Sequence, residues 1–186
     1  MILDLFQLTG RTALVTGARR GLGQGIAVGL AEAGADIACV SRSGNADTTR
    51  ERVEAAGQRF LDIQVDLADP ESRVGLIDRV NEELGPVDIL VNNAGGGGRQ
   101  PAETFSMDIW RHELVVHLSA SFDLSQQAAA GMLERGRGKI INIGSVMTFQ
   151  GGVDIPAYAS AKHAVAGMTR ALAGSWAGLS LIHISE

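Results

Sequence analysis

The chain has 186 residues, a length that suits one domain with a sizeable core. Its 45% hydrophobic and 20% charged content is ordinary for a globular protein, and a net charge of -5 argues against nucleic acid as a partner. The lone Cys39 sits in an apolar run, so no internal disulfide is possible and a reducing compartment fits. No apolar stretch reaches bilayer length, and Met1-Ile2-Leu3-Asp4 lacks the basic start of a signal peptide, so no membrane partner is expected and the cytoplasm is the expected location.

Short apolar runs at 12–16, 36–40, 60–65, 88–91 and 139–143 read as strands. Helical patterns lie near 21–33, 46–57, 70–84, 107–134 and 157–177. This βαβ alternation predicts an α/β fold, a doubly wound parallel sheet of Rossmann type with strand order 3-2-1-4-5. There is no linker and no internal repeat.

The first strand runs into Thr16-Gly17-Ala18-Arg19-Arg20-Gly21-Leu22-Gly23. Glycines 17, 21 and 23 let the backbone approach a pyrophosphate at a helix N-terminus, although such a turn also occurs without any nucleotide. The second strand ends in Val40-Ser41-Arg42, where an acidic residue would bind a ribose 2'-hydroxyl. Arg42, with Arg19 or Arg20, can instead clamp a 2'-phosphate; the plainer reading is three solvated arginines. The phosphate clamp favours NADP over NAD. Asp66-Leu67 follows the third strand, where the carboxylate either serves a ligand or caps a turn ahead of Asp69-Pro70. Asn92-Asn93-Ala94-Gly95 follows the fourth, and Gly96-Gly97-Gly98 extends it into what reads as a mobile loop.

Tyr158 and Lys162 are four apart, hence on one face of a helix. A free phenol has a pKa of about 10, and a neighbouring cation lowers it; a shift of roughly three units needs about 4 kcal/mol. Such a tyrosine can exchange a proton with an alcohol near pH 7. Ser145, thirteen residues earlier at a strand end, can bond the same substrate oxygen. A Tyr and Lys at this spacing are also common as an exposed pair. No metal-type cluster surrounds His112 or His163, so no metal is expected.

In this order and spacing the motifs resemble the short-chain dehydrogenase/reductase family, over residues 6 to about 178. The resemblance implies hydride transfer between a nicotinamide cofactor, NADP preferred or NAD, and a secondary alcohol or ketone. It implies Tyr158 as acid/base, Lys162 as its modulator and ribose ligand, and Ser145 as the group that orients the substrate oxygen. Gly17, Arg19, Arg20, Gly21, Leu22, Gly23, Ser41, Arg42, Asp66, Leu67, Asn93, Ala94 and Gly95 would hold the cofactor, with Asp66 on the adenine amino group. The family's fourth catalytic position, an asparagine that anchors a water chain, holds His117 here. This histidine either keeps that water or is a tolerated variant in a buried helix.

Further stretches, Gly23-Gln24-Gly25, Ser125-Gln126 and Phe149-Gln150-Gly151-Gly152, resemble the gluconate-type branch of the family and imply a small sugar acid or keto-sugar as substrate. Gluconate 5-dehydrogenase-like and 3-oxoacyl reductase-like members, and a non-catalytic cofactor-sensing relative, are the alternatives. A homo-oligomer is implied for the parent protein. After Gly178 the family continues with further strands. Leu179-Ser180-Leu181-Ile182-His183-Ile184-Ser185-Glu186 resembles a translated sequencing-library adapter. The expectation is therefore a truncated Rossmann domain at 1–178 with a non-native tail at 179–186. On that reading strand 139–143 is left as an unpaired edge; the alternative to a working reductase is then a nucleotide-binding fragment that aggregates or binds cofactor weakly and shows no turnover, the parent gene encoding the reductase.

Overall fold

Alternation along the strands divides the core into two layers. The computed structural model describes residues 2–176 and the backbone of 181–185. Strands β1 (Thr12–Thr16), β2 (Asp36–Ser41), β3 (Phe60–Gln64), β4 (Val87–Asn92), β5 (Gly138–Asn142) and β6 (Leu181–Ser185) form one sheet in the order 3-2-1-4-5-6. All neighbouring strands are parallel. On one face Leu14, Val40, Ile63, Leu90 and Ile140 pack with Val80, Leu124 and Met132. On the other, Ala13, Val15, Ile37, Cys39, Ile89 and Val91 pack with Ala27, Ala31 and Val53. Neighbouring residues of a strand point to opposite faces, so a run such as Ile89-Leu90-Val91 feeds both layers.

The first face is covered by α4 (Leu76–Glu83) and α6 (Ala120–Glu134), the second by α1 (Gly21–Glu32) and α2 (Asp47–Ala55). The expected helix over 70–84 is two pieces, α3 (Pro70–Arg73) and α4, because Gly75 takes a left-handed conformation at φ 69°. Asp69 caps α3 by accepting a hydrogen bond from Glu71 N at 3.1 Å, with Pro70 at the first helical position. The long pattern over 107–134 is α5 (Met107–Leu114), a π-helical turn over Val115–Ser119, and α6. The helix α7 (Pro156–Trp176) opens on a proline and buries Ala157, Ala161, Lys162, Val165 and Thr169 along one stripe.

Strand β5 is not an edge, which corrects the expectation of an unpaired strand at 139–143 and of a sheet that stops at five strands. β6 lies parallel to it in register from Gly138↔Leu181 to Asn142↔Ser185. A row of free backbone groups is a template for any extended segment within reach, and the stretch Leu181–Ser185, which starts five positions after α7 ends, meets that demand.

Buried amides tie the centre of the sheet to its helices. Asn92 Nδ2 donates to Asn142 Oδ1 at 2.8 Å and to Ser125 Oγ at 3.1 Å, while Asn142 Nδ2 donates to Thr169 Oγ1 at 3.0 Å. Losing one partner of such a network leaves a buried polar group unpaired, at a cost of about 1–3 kcal/mol. The network therefore fixes α7, and with it Tyr158, relative to β4 and β5.

Candidate active site

The glycine turn is shaped from beneath by Asn93. Gly17 and Gly21 take left-handed φ values of 70° and 61°, and Gly17 N donates to Val40 O at 2.7 Å. Thr16 Oγ1 accepts from both Asn93 N and Ala94 N at 2.9 Å, and Asn93 Nδ2 donates to Thr16 O at 2.9 Å. A Cβ on Gly23 would lie 2.5 Å from that same Asn93 nitrogen. From the side, Thr49 Oγ1 of α2 donates to Ala18 O at 2.9 Å. The N-cap of α1, Arg20, makes no side-chain cap bond, so the first-turn amides face outward uncapped.

A cavity of about 850 Å³ opens above this turn. Gly17, Arg19, Arg20, Ser41, Arg42, Asp66, Leu67, Ala94, Gly95 and His117 all line it. Ser41 is only 8% exposed, and its Oγ has no hydrogen-bond partner among the described residues. Asp66 Oδ1 accepts from Ala68 N at 2.9 Å in a local turn, and the residue lines the cavity. Gly21 and Gly23 are not in the wall; Gly23 lies beneath it.

A second cavity of about 460 Å³ adjoins the first and shares Gly95, Gly96, Gly97 and His117 with it. Tyr158, Lys162, Asn93, Leu22 and Arg99 line this one. The four-residue spacing on α7 brings Tyr158 and Lys162 together, with the Lys162 ammonium 5.6 Å from the centre of the phenol ring. Lys162 Nζ donates to Ile143 O at 2.6 Å, and burial lowers its pKa from 10.5 to about 8. Ser145 stands one residue beyond the wall, which ends at Gly144. Its Oγ accepts from Met147 N at 3.1 Å and caps the 3-10 turn Val146–Thr148.

His117 stands edge-on to Tyr158, with ring centres 5.3 Å apart and planes at 80°. Its Nε2 lies 2.7 Å from Gly96 O; a carbonyl only accepts, so Nε2 carries the proton and donates. Nδ1 is buried with no partner among the described residues. Burial is the main cause that lowers the His117 pKa from 6.5 to about 4. The Gly96 bond opposes this, and the charges of Lys162 and His112 add to it.

The glycine run 95–98, which reads in the sequence as a mobile loop, is hydrogen-bonded at two points. Gly96 O accepts from His117, and Gly98 N donates to Glu113 Oε1. Glu113 was missed in the sequence, where its only mark is a place one turn before His117. Asn142 and Thr169 were missed as well; a lone polar residue amid Ile140, Ile141 and Ile143 was the available signal. Among the described residues, no group of three His, Cys, Asp or Glu side chains could hold a metal ion.

The arrangement offers a phenolic hydroxyl beside a buried amine in one cavity, and an arginine-rimmed pocket over an uncapped helix in the next. It can exchange a proton with a small hydroxylated or carbonyl ligand while holding a phosphorylated one alongside. The sequence profile of the family described as short chain dehydrogenase matches residues 11–185. The chain is similar to 2-dehydro-3-deoxy-D-gluconate 5-dehydrogenase of Bacillus subtilis, with 48% identity over 94% of this chain and 68% of that protein. It is 37% identical to gluconate 5-dehydrogenase of Gluconobacter oxydans, over 93% of this chain and 68% of that protein. Among solved structures, one from Agrobacterium tumefaciens, titled a 2-deoxy-D-gluconate 3-dehydrogenase with bound NADP, superposes with a TM-score of 0.87. It is 42% identical and is matched over 97% of this chain and 72% of that one.

Proposed function

The chain belongs to the short-chain dehydrogenase family, and from that premise we propose that it moves a hydride between NADP and a secondary alcohol or ketone of a sugar acid, with Tyr158 as the acid/base group. It is an NAD(P)-dependent oxidoreductase acting on a small molecule. The observation that carries the mechanistic reading is the meeting of Tyr158 and Lys162 in a cavity that shares walls with the arginine-rimmed one. The names of the gluconate-type relatives support the substrate class.

The residues present fit the cofactor. The orphaned, buried Ser41 Oγ beside Arg42 suits a 2'-phosphate, with Arg19 and Arg20 on the same wall. Gly17, Gly21, Leu22 and Gly23 would present the uncapped start of α1 to the pyrophosphate. Asp66 and Leu67 would face the adenine, and Asn93, Ala94 and Gly95 the nicotinamide half. Bound there, the nicotinamide ring supplies or takes the hydride. Tyr158 holds the proton at its phenolic oxygen and exchanges it with the substrate oxygen. The Lys162 ammonium stabilises negative charge that develops on that oxygen. Ser145 accepts from Met147 N but keeps its own O–H, which donates to the substrate oxygen. A reducing compartment such as the cytoplasm suits the buried Cys39 thiol, which burial pushes up to about 12, and a homo-oligomer remains part of this reading.

The test is to follow nicotinamide absorbance with each cofactor against a panel of aldonic and keto-sugar acids. Turnover with members of the panel is the expected result. NADPH binding combined with turnover only on acyl thioester ketones would move the substrate to another branch of the family.

A further inference from the structure

Glu113 and His117 lie four residues apart, the first on α5 and the second in the π-turn that follows. Each is only 4% exposed. Both side chains leave the helix towards the same backbone segment, Gly95 to Gly98. His117 Nε2 donates to Gly96 O, and Glu113 Oε1 accepts from Gly98 N. That bond is the only hydrogen bond of the Glu113 carboxylate among the described residues, because Oε2 is buried without a partner. A buried carboxylate is costly unless bonded, so a carboxylate retained here with one contact points to that contact as its purpose.

The segment is confined on both sides. A Cβ on Gly98 would lie 2.7 Å from Ile109 Cγ2, and one on Gly97 would lie 3.5 Å from Tyr158 Cδ2. A Cβ on Gly95, at φ 156°, would lie 1.9 Å from His117 Cε1. Gly95, Gly96 and Gly97 belong to the walls of both cavities, so the strap they form is the partition between them. Four successive glycines have the largest conformational entropy to lose, so such a strap does not hold one position unaided.

We propose that Glu113 and His117 are positioning residues that pin the glycine strap at two points against Tyr158, and that the pinned strap sets where a dinucleotide crosses from the larger cavity to the smaller. This rests on the reading of Tyr158 and Lys162 as the reactive pair.

The experiment compares the whole chain with four variants, using NADPH fluorescence titration and amide hydrogen exchange over residues 95–100. Glu113→Ala removes the acceptor, and Glu113→Gln keeps an oxygen at Oε1. Gly98→Ala displaces the strap from the Ile109 side without touching Glu113, and covers the case in which Glu113→Ala does not fold. In Glu113→Ala or Gly98→Ala the Gly98 amide exchanges about tenfold faster and NADPH binds several-fold weaker, and Glu113→Gln restores both to within about twofold. Wild-type exchange and affinity in both the Ala variants overturns the proposal. So does Glu113→Gln behaving like Glu113→Ala, since charge and not the acceptor would then matter. Tyr158→Phe separates the two readings: loss of turnover with unchanged exchange supports both, whereas retained turnover removes the acid/base assignment and leaves the strap result standing.

Discussion

Asn93 and Gly23 interlock. The Asn93 side-chain nitrogen that donates to Thr16 O fills the space a Cβ on Gly23 would need, 2.5 Å away. The third glycine of the turn is therefore required both by the Gly17 carbonyl of the turn itself and by a side chain seventy residues on, and the second contact couples the start of α1 to the end of β4.

Gly23→Ala should consequently open the turn. Overpacking of this kind costs about 1–3 kcal/mol, and NADPH affinity should fall with it. Urea denaturation and fluorescence titration measure the two effects.

Cofactor preference should follow Ser41 and Arg42. One charge-assisted phosphate contact is worth roughly 1.5–3 kcal/mol, so NADPH should bind at least about tenfold tighter than NADH. Ser41→Asp should reverse the order by placing a carboxylate where the phosphate would sit. Equal dissociation constants for the two cofactors in the unmodified protein would remove the arginine clamp from the account.

Tyr158→Phe keeps the ring against Gly97 and His117 but removes the proton donor. Turnover should fall by about 10²–10⁴-fold, with NADPH affinity nearly unchanged. Steady-state kinetics beside a binding titration distinguishes this from a folding defect.

The buried His117 should make stability depend on pH. Its folded pKa of about 4 lies below the unfolded 6.5, so the unfolded state binds more protons between those values. Stability is thus lost as pH falls from about 6.5 to 4, by on the order of 3 kcal/mol from this group. Gly96 O, Lys162 and His112 are the groups that act on the ring, and the two cations add to the cost of charging it. Read from denaturation midpoints, the protein should lose stability relative to His117→Asn between pH 7 and pH 5. Parallel curves across this window would contradict the assignment.

Much of this molecule was legible in local spacing. The alternation of apolar runs with helical patterns determined the sheet order of the first five strands. The turn Thr16 to Gly23, the Tyr158/Lys162 interval and the missing acidic residue at Ser41 located both cavities. These are signals within a few residues of one another, where backbone periodicity and side-chain type suffice. Tertiary structure alone decided the rest. β6 pairs with β5 because an open strand edge accepts an extended segment whatever its origin. Gly75 splits one helical pattern, and a π-turn interrupts another. The glycine strap, which reads as a mobile loop, is hydrogen-bonded by Glu113 and His117 from fifteen and twenty-one residues away. Asn93 meets Thr16 across seventy-seven positions. Such contacts depend on how elements pack rather than on what neighbours what in the chain, so no local pattern announces them.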